Sequence, residues 1–157
     1  MNDTKSHVMC AITFEGKFYF EVLEDRETVN SERYINFLQN MYAKFVHCRK
    51  PLGWKEMILI QDNARPHVSK MTMDFLAAKK VSTFKQPPYS PDYNLCDRWL
   101  FSQLEKKRQN HNFSSRVELE QFLQEELPKL DQDALRSQLE YLKNDLNAIV
   151  AAGGDYL

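Results

Sequence analysis

Apolar positions along the chain switch between a period of two and a period near 3.6, and the switches mark out its elements. Residues 8–14 and 17–23 are rich in β-branched, aromatic and apolar side chains around Glu15-Gly16, which predicts a tight β-hairpin. A polar loop, Glu24-Asp25-Arg26-Glu27, follows. Tyr34, Leu38, Met41 and Phe45 then recur at helical spacing behind Asn30, a good N-cap, with Glu32 in the first turn. This predicts an amphipathic helix over Ser31–Val46. Residues 49–55, with Pro51 and Gly53, read as a loop, and 56–61 as a short buried strand. Pro66 suits the first turn of a helix running to about Lys79, and 81–85 reads as a brief strand. Pro87, Pro88 and Pro91 bar a helix across 86–94. Leu95/Trp99 and Leu100/Leu104 are i,i+4 pairs of the next helix, which ends near Lys107. Ser115 and Glu118 form a capping box before Val117, Leu119, Phe122 and Leu123. Asp131 caps the last helix, whose stripe is Leu135, Leu139, Leu142, Leu146 and Ile149. That stripe reads as core, with a dimer face as the other reading. The order β-β-α-β-α-β followed by three helices predicts a mixed α/β sheet flanked by helices.

Bulk properties narrow this picture without changing it. A chain of 157 residues suits one domain, spanning 1–157, and can bury roughly 68–70% of its unfolded surface. No apolar run approaches the roughly 18 residues of a membrane span, and the polar start lacks a signal-peptide core. Cys10, Cys48 and Cys96 are scattered without a CxxC pair, which argues for a reducing compartment and against a zinc knuckle. Net charge is −1, but residues 44–108 carry 13 basic and 6 acidic side chains, net +7, between acidic flanks. That excess reads either as a phosphate-neutralising groove or as a basic solvated surface.

The candidate chemistry lies in the basic stretch. The run Met57-Ile58-Leu59-Ile60 reaches Gln61 and delivers Asp62 in Asp62-Asn63-Ala64-Arg65-Pro66-His67. Pro87-Pro88-Tyr89-Ser90-Pro91-Asp92 then precedes Asp97 in Cys96-Asp97-Arg98-Trp99, with 34 residues between the two acids. Divalent cations that work on phosphodiesters need carboxylates converging from different elements. Taken alone, Asp62 also reads as a cap or turn residue, and Asp97 as a charge favoured at a helix start. Asp92 reads as a turn residue. Asn63 and His67 either bind phosphate or orient water, or are a satisfied loop amide and a half-buried ring. Arg65 and Arg98 either hold phosphates or neutralise the acids. Lys106-Lys107-Arg108 reads as a solvated helix end, a DNA contact or a nuclear-import patch. There is no phosphate-binding glycine loop and no Gly-x-Ser-x-Gly elbow.

These two blocks resemble the catalytic domain of mariner-like transposases, within the DDE transposase and integrase superfamily. The likeness rests on Asp62-Asn63-Ala64-Arg65-Pro66-His67, on Pro88-Tyr89-Ser90-Pro91-Asp92, and on an aspartate as the last acid at the mariner spacing. It runs from about Val8 to the carboxyl end. The resemblance implies an RNase H-like fold with a helical carboxyl-terminal third. It implies Asp62 and Asp97 as catalytic metal ligands, Mg2+ or Mn2+ as cofactor, DNA ends and target DNA as partners, and action in the nucleus. DNA cleavage and strand transfer are the implied reactions, with a non-catalytic DNA- or protein-binding remnant as the alternative. The family's first catalytic aspartate lies on a central strand ahead of the hairpin. Only seven residues precede Val8 here, so that strand and that acid are expected to be missing from this chain.

Overall fold

The computed structural model of the chain describes residues 7–24, 26–46, 53–86, 91–109 and 111–151. Its elements are β1 (Val8–Ile12), β2 (Phe18–Val22), α1 (Ser31–Val46), β3 (Ile58–Gln61), α2 (Arg65–Val68), α3 (Lys70–Lys79), β4 (Ser82–Lys85), α4 (Phe101–Arg108), α5 (Arg116–Glu126) and α6 (Gln132–Ala151). They cluster into two compact units. One holds Met1–Met9 and Tyr19–Pro88, the other Cys10–Phe18 and Tyr89–Leu157.

The described residues form two two-stranded sheets, β1-β2 and β3-β4, the latter parallel with Ile58 opposite Ser82 and Gln61 opposite Lys85. Among the described residues no strand joins them, so the central strand of the implied fold is not among those elements. The hairpin loop is one residue longer than a two-residue turn. Gly16 N–H bonds the Thr13 carbonyl, and Gly16 takes φ 76°, the left-handed conformation that favours glycine. A Cβ there would meet Gln132 Oε1 at 3.1 Å and Leu135 Cδ2 at 3.2 Å, so the turn also lies close against α6.

In the first unit α1 packs on α2 and α3 and buries Tyr34, Phe37, Leu38 and Met41. Asn30 Oδ1 accepts from the Arg33 N–H at 2.8 Å, as the capping pattern predicts. Parallel pairing of β3 and β4 requires a crossover, and α2 and α3 supply it. The expected single helix from Pro66 to Lys79 is two. Ser69 leaves the helix at ψ 152° and caps α3, accepting from the Thr72 N–H at 3.2 Å. The fully buried Thr72 hydroxyl donates to the Pro66 carbonyl at 2.6 Å, which pins α2 to α3. β3 is also less buried than its apolar run implies, since Ile58 is 70% exposed.

A polar cluster ties β2 to α1. Arg33 bridges Glu21 at 2.5 Å and Glu27 at 2.8 Å, while Tyr19 and Asn40 donate to Glu21. Burial pushes the Glu21 carboxyl up, but hydrogen bonds from Tyr19, Asn40 and Arg33 outweigh it and hold the group below its ordinary 4.5. A carboxyl held low in the folded state contributes stability above its unfolded pKa. It gives that stability up as the pH falls through the lowered folded value. Thermal unfolding between pH 7 and pH 3 is therefore expected to show a Tm that falls on the acid side of about 4.5. Arg33→Met should cost about 1–3 kcal/mol at pH 7 and flatten that fall, because a charged hydrogen-bond partner is lost.

In the second unit the buried apolar side chains include Leu95, Trp99, Leu100 and Leu104, then Leu123, Leu127 and Leu130, then Leu135, Leu139 and Leu142 of α6. The stripe on α6 is thus core as far as Leu142. Leu146 is half-buried, and the side chain of Ile149 lies outside the described residues. Asp131 caps α6 through the N–H groups of Asp133 and Ala134. The capping box of α5 is only half formed. Ser115 Oγ accepts from the Glu118 N–H, but Glu118 reaches back to the Ser114 N–H at 2.7 Å, one residue early. Residues 91–93 form a single 3-10 turn, while Pro87, Pro88, Tyr89 and Ser90 lie outside the described residues.

Candidate active site

Asp62 is the first residue beyond β3, at the carboxyl end of a parallel pair, where open α/β sheets place ligands. The loop after it is held at both ends. Asn63 Nδ2 donates to the Gln86 carbonyl at 2.8 Å and so clips the end of β3 to the end of β4. Asp62 Oδ1 accepts from the Ala64 N–H at 3.0 Å and lies 2.5 Å from His67 Nδ1. The short helix α2, with Pro66 in its first turn, brings His67 back to the acid five residues earlier. Arg65 opens α2 and is exposed. The Asp62 side chain is 43% exposed, so the carboxylate is anchored without being sealed from solvent.

Asp97 lies in the second unit and is exposed. It sits on a π turn, Cys96–Leu100, closed by the Phe101 N–H to the Cys96 carbonyl, where the pairs Leu95/Trp99 and Leu100/Leu104 predicted a plain α-helix. At roughly 100° per residue, Leu95 and Leu104 would face nearly opposite sides of an α-helix. One extra residue in a turn rotates Leu104 back by about that angle, and both are buried. Such single π turns recur at functional sites, and this one carries the candidate acid. The neighbouring Cys96 thiol donates to the Cys10 carbonyl at 3.6 Å. Burial, then the charge of Asp97, pushes that thiol up to about 12, so it is protonated at neutral pH and is no thiolate ligand.

Arg98 is committed within its own unit. It donates to Gln138 Oε1 at 3.1 Å and the Asp92 carbonyl at 3.2 Å, and pairs with Asp145 at 3.1 Å. Asp92 is accordingly a turn residue whose backbone receives Arg98. Lys106, Lys107 and Arg108 form the last turn of α4, where positive charge suits the helix dipole. Lys107 pairs with Glu126 at 2.9 Å, and Arg108 with Glu105 at 3.6 Å.

Two further residues belong with Asp62. Tyr34 lays its ring against His67, centroids 4.0 Å apart, and donates its hydroxyl to Gln61 Oε1 at 2.5 Å. Gln61 Nε2 donates to the His67 carbonyl at 3.1 Å. Tyr34 reads in sequence only as one member of the α1 stripe. Gln61 carried a signal, as the polar end of an apolar strand. Among the described residues no group of three or more His, Cys, Asp or Glu side chains stands close enough to hold a metal ion. A carboxylate such as that of Asp62 is the hard oxygen donor type that Mg2+ and Mn2+ take.

The sequence model of the DDE superfamily endonucleases matches residues 2–120. The chain is 28% identical over 142 residues to the human histone-lysine N-methyltransferase SETMAR, covering 90% of this chain and 21% of that protein. It is 26% identical over 144 residues to the mariner Mos1 transposase of Drosophila mauritiana, covering 90% and 42%. It thus spans less than half the length of either relative. The Mos1 catalytic domain solved with raltegravir and Mn superposes with a TM-score of 0.79 at 24% identity, over 97% of this chain and 77% of that one. The Mos1 paired-end complex with the left transposon end gives 0.78 at 25% identity, over 95% and 44%. The mixed α/β fold is that of the Mos1 catalytic domain.

Proposed function

The chain belongs to the DDE superfamily endonuclease family, and from that premise we propose that it is the carboxyl-terminal part of a mariner-like transposase catalytic domain. The intact enzyme cleaves DNA and joins the cut strand to a target. The observation that carries the reading is Asp62, held at the carboxyl end of a parallel strand pair with its carboxylate anchored yet half-exposed. The π turn beneath Asp97 and the spacing between the two acids support it.

In this reading Asp62 and Asp97 are ligands of Mg2+ or Mn2+. When bound, a pair of such ions activates the attacking water or DNA 3′-hydroxyl and stabilises the leaving oxygen. The chain's own residues orient and hold. Asn63 and the β4 end fix the loop that presents Asp62. Arg65, exposed at the start of α2, meets backbone phosphate. His67 stands against Asp62, and Arg98 ties the turn carrying Asp97 to α6. Lys106, Lys107 and Arg108 extend the basic surface for DNA. No described helix is long and apolar enough to cross a membrane, and in this reading the protein acts on DNA in the nucleus. Pairing of two DNA ends calls for a homodimer.

A nicking assay on supercoiled DNA with Mg2+ and then Mn2+ tests the reading. Metal-dependent nicking by the intact enzyme that contains this chain, reduced to background in its Asp62→Asn variant, is expected. DNA retention without nicking, equal in wild type and Asp62→Asn, contradicts it and marks a binding module.

A further inference from the structure

We propose that His67 is a positioning residue for Asp62, set by a closed circuit that reaches into α1. The proposal rests on the reading of Asp62 as a metal ligand and assigns His67 a task other than contact with DNA. Both hydrogen bonds at Asp62, from the Ala64 N–H and from His67 Nδ1, fall on Oδ1. An ionised carboxylate only accepts, so Nδ1 carries the proton in that bond. One oxygen is thereby committed to the protein, and Oδ2 is the oxygen that meets the cation.

His67 is held at three points, two on its ring and one on its backbone. Its Nδ1 lies against Asp62, its face lies on the buried ring of Tyr34, and its carbonyl accepts from Gln61. Tyr34 is itself fixed through its hydroxyl to Gln61, the residue that precedes Asp62 on β3. The circuit Asp62–His67–Tyr34–Gln61 therefore closes on the strand that carries the acid. A cap or a surface ion pair needs no such closure. Hydrogen-bond partners of metal ligands set ligand orientation, and their loss costs about 10–100-fold in metal affinity.

The test is Mn2+ affinity, read by electron paramagnetic resonance, alongside thermal unfolding, on the whole chain. His67→Ala is expected to weaken Mn2+ about 10–100-fold. His67→Asn restores a donor near the Nδ1 position but not the ring. It should recover most of the affinity while remaining as thermally destabilised as His67→Ala. A merely structural role would move affinity and stability together in both variants. Wild-type Mn2+ affinity in His67→Ala, or no recovery in His67→Asn, overturns the proposal. Asp62→Asn separates the two layers. If it binds Mn2+ like the wild type, or the wild type binds none, the ligand reading falls and the positioning role with it.

Discussion

Replacing Leu100 by Ala is expected to lower the unfolding free energy by about 2–5 kcal/mol, the range for a buried leucine that leaves a cavity. Leu100 has no exposed surface and is the last residue of the π turn that carries Asp97. The turn accommodates one residue more than an α-helix so that Leu95, Trp99, Leu100 and Leu104 can all be buried. Without the Leu100 side chain, part of the reason for that extra residue is gone. Relaxation toward an α-helical turn would rotate Asp97 relative to the segment after it. The loss should therefore show in two places, in urea unfolding followed by circular dichroism and in weakened binding of Mn2+. Tyr141→Ala is the matched control. Tyr141 lies on α6 and is 57% exposed, so its removal should stay within about 0.5 kcal/mol. Equal stability of Leu100→Ala and Tyr141→Ala would show that the turn is not held by its apolar side.

Elements whose signals are local were legible in the sequence. Asn30, Gly16 and Asp131 announce a helix start, a hairpin turn and a second helix start through their own backbone chemistry, and each does so in the structure. The acid loop was legible for the same reason, as an apolar strand running into a motif with one proline in place. What escaped depends on competition between neighbouring residues. Ser69 reads as a tolerable helix residue until Thr72 is seen buried and bonded back to Pro66, which makes a cap worth more than a continuous helix. The 4-1-4 spacing of Leu95, Trp99, Leu100 and Leu104 fits no single α-helical stripe, so the π turn had a signal that pairwise i,i+4 matching overlooks. Glu118 chose the Ser114 N–H over the neighbouring N-cap amide, a preference that two adjacent serines conceal.

The least legible features are long-range. Arg98 is sequence-adjacent to Asp97, which suggests a shared task, yet it pairs with Asp145, 47 residues away. Tyr34 reaches Gln61 across 27 residues. A period or a motif reports which face of an element is apolar. It does not report which polar side chain on another element will meet that face. The place of Asp62 just beyond β3 was thus readable from its strand and motif, while the groups that hold it were not.

In the proposed function Asp62 and Asp97 serve one ion, and a manganese titration of single and double variants measures that directly. Asp62→Asn and Asp97→Asn are each expected to weaken Mn2+ by more than about 100-fold, beyond what loss of an outer partner costs. The double variant should bind no more weakly than either single one, because groups that share a ligand are not additive. Isothermal titration of the four proteins, each checked for folding by circular dichroism, gives the cycle. Full affinity in either single variant, or losses that simply multiply in the double, would contradict a shared ion.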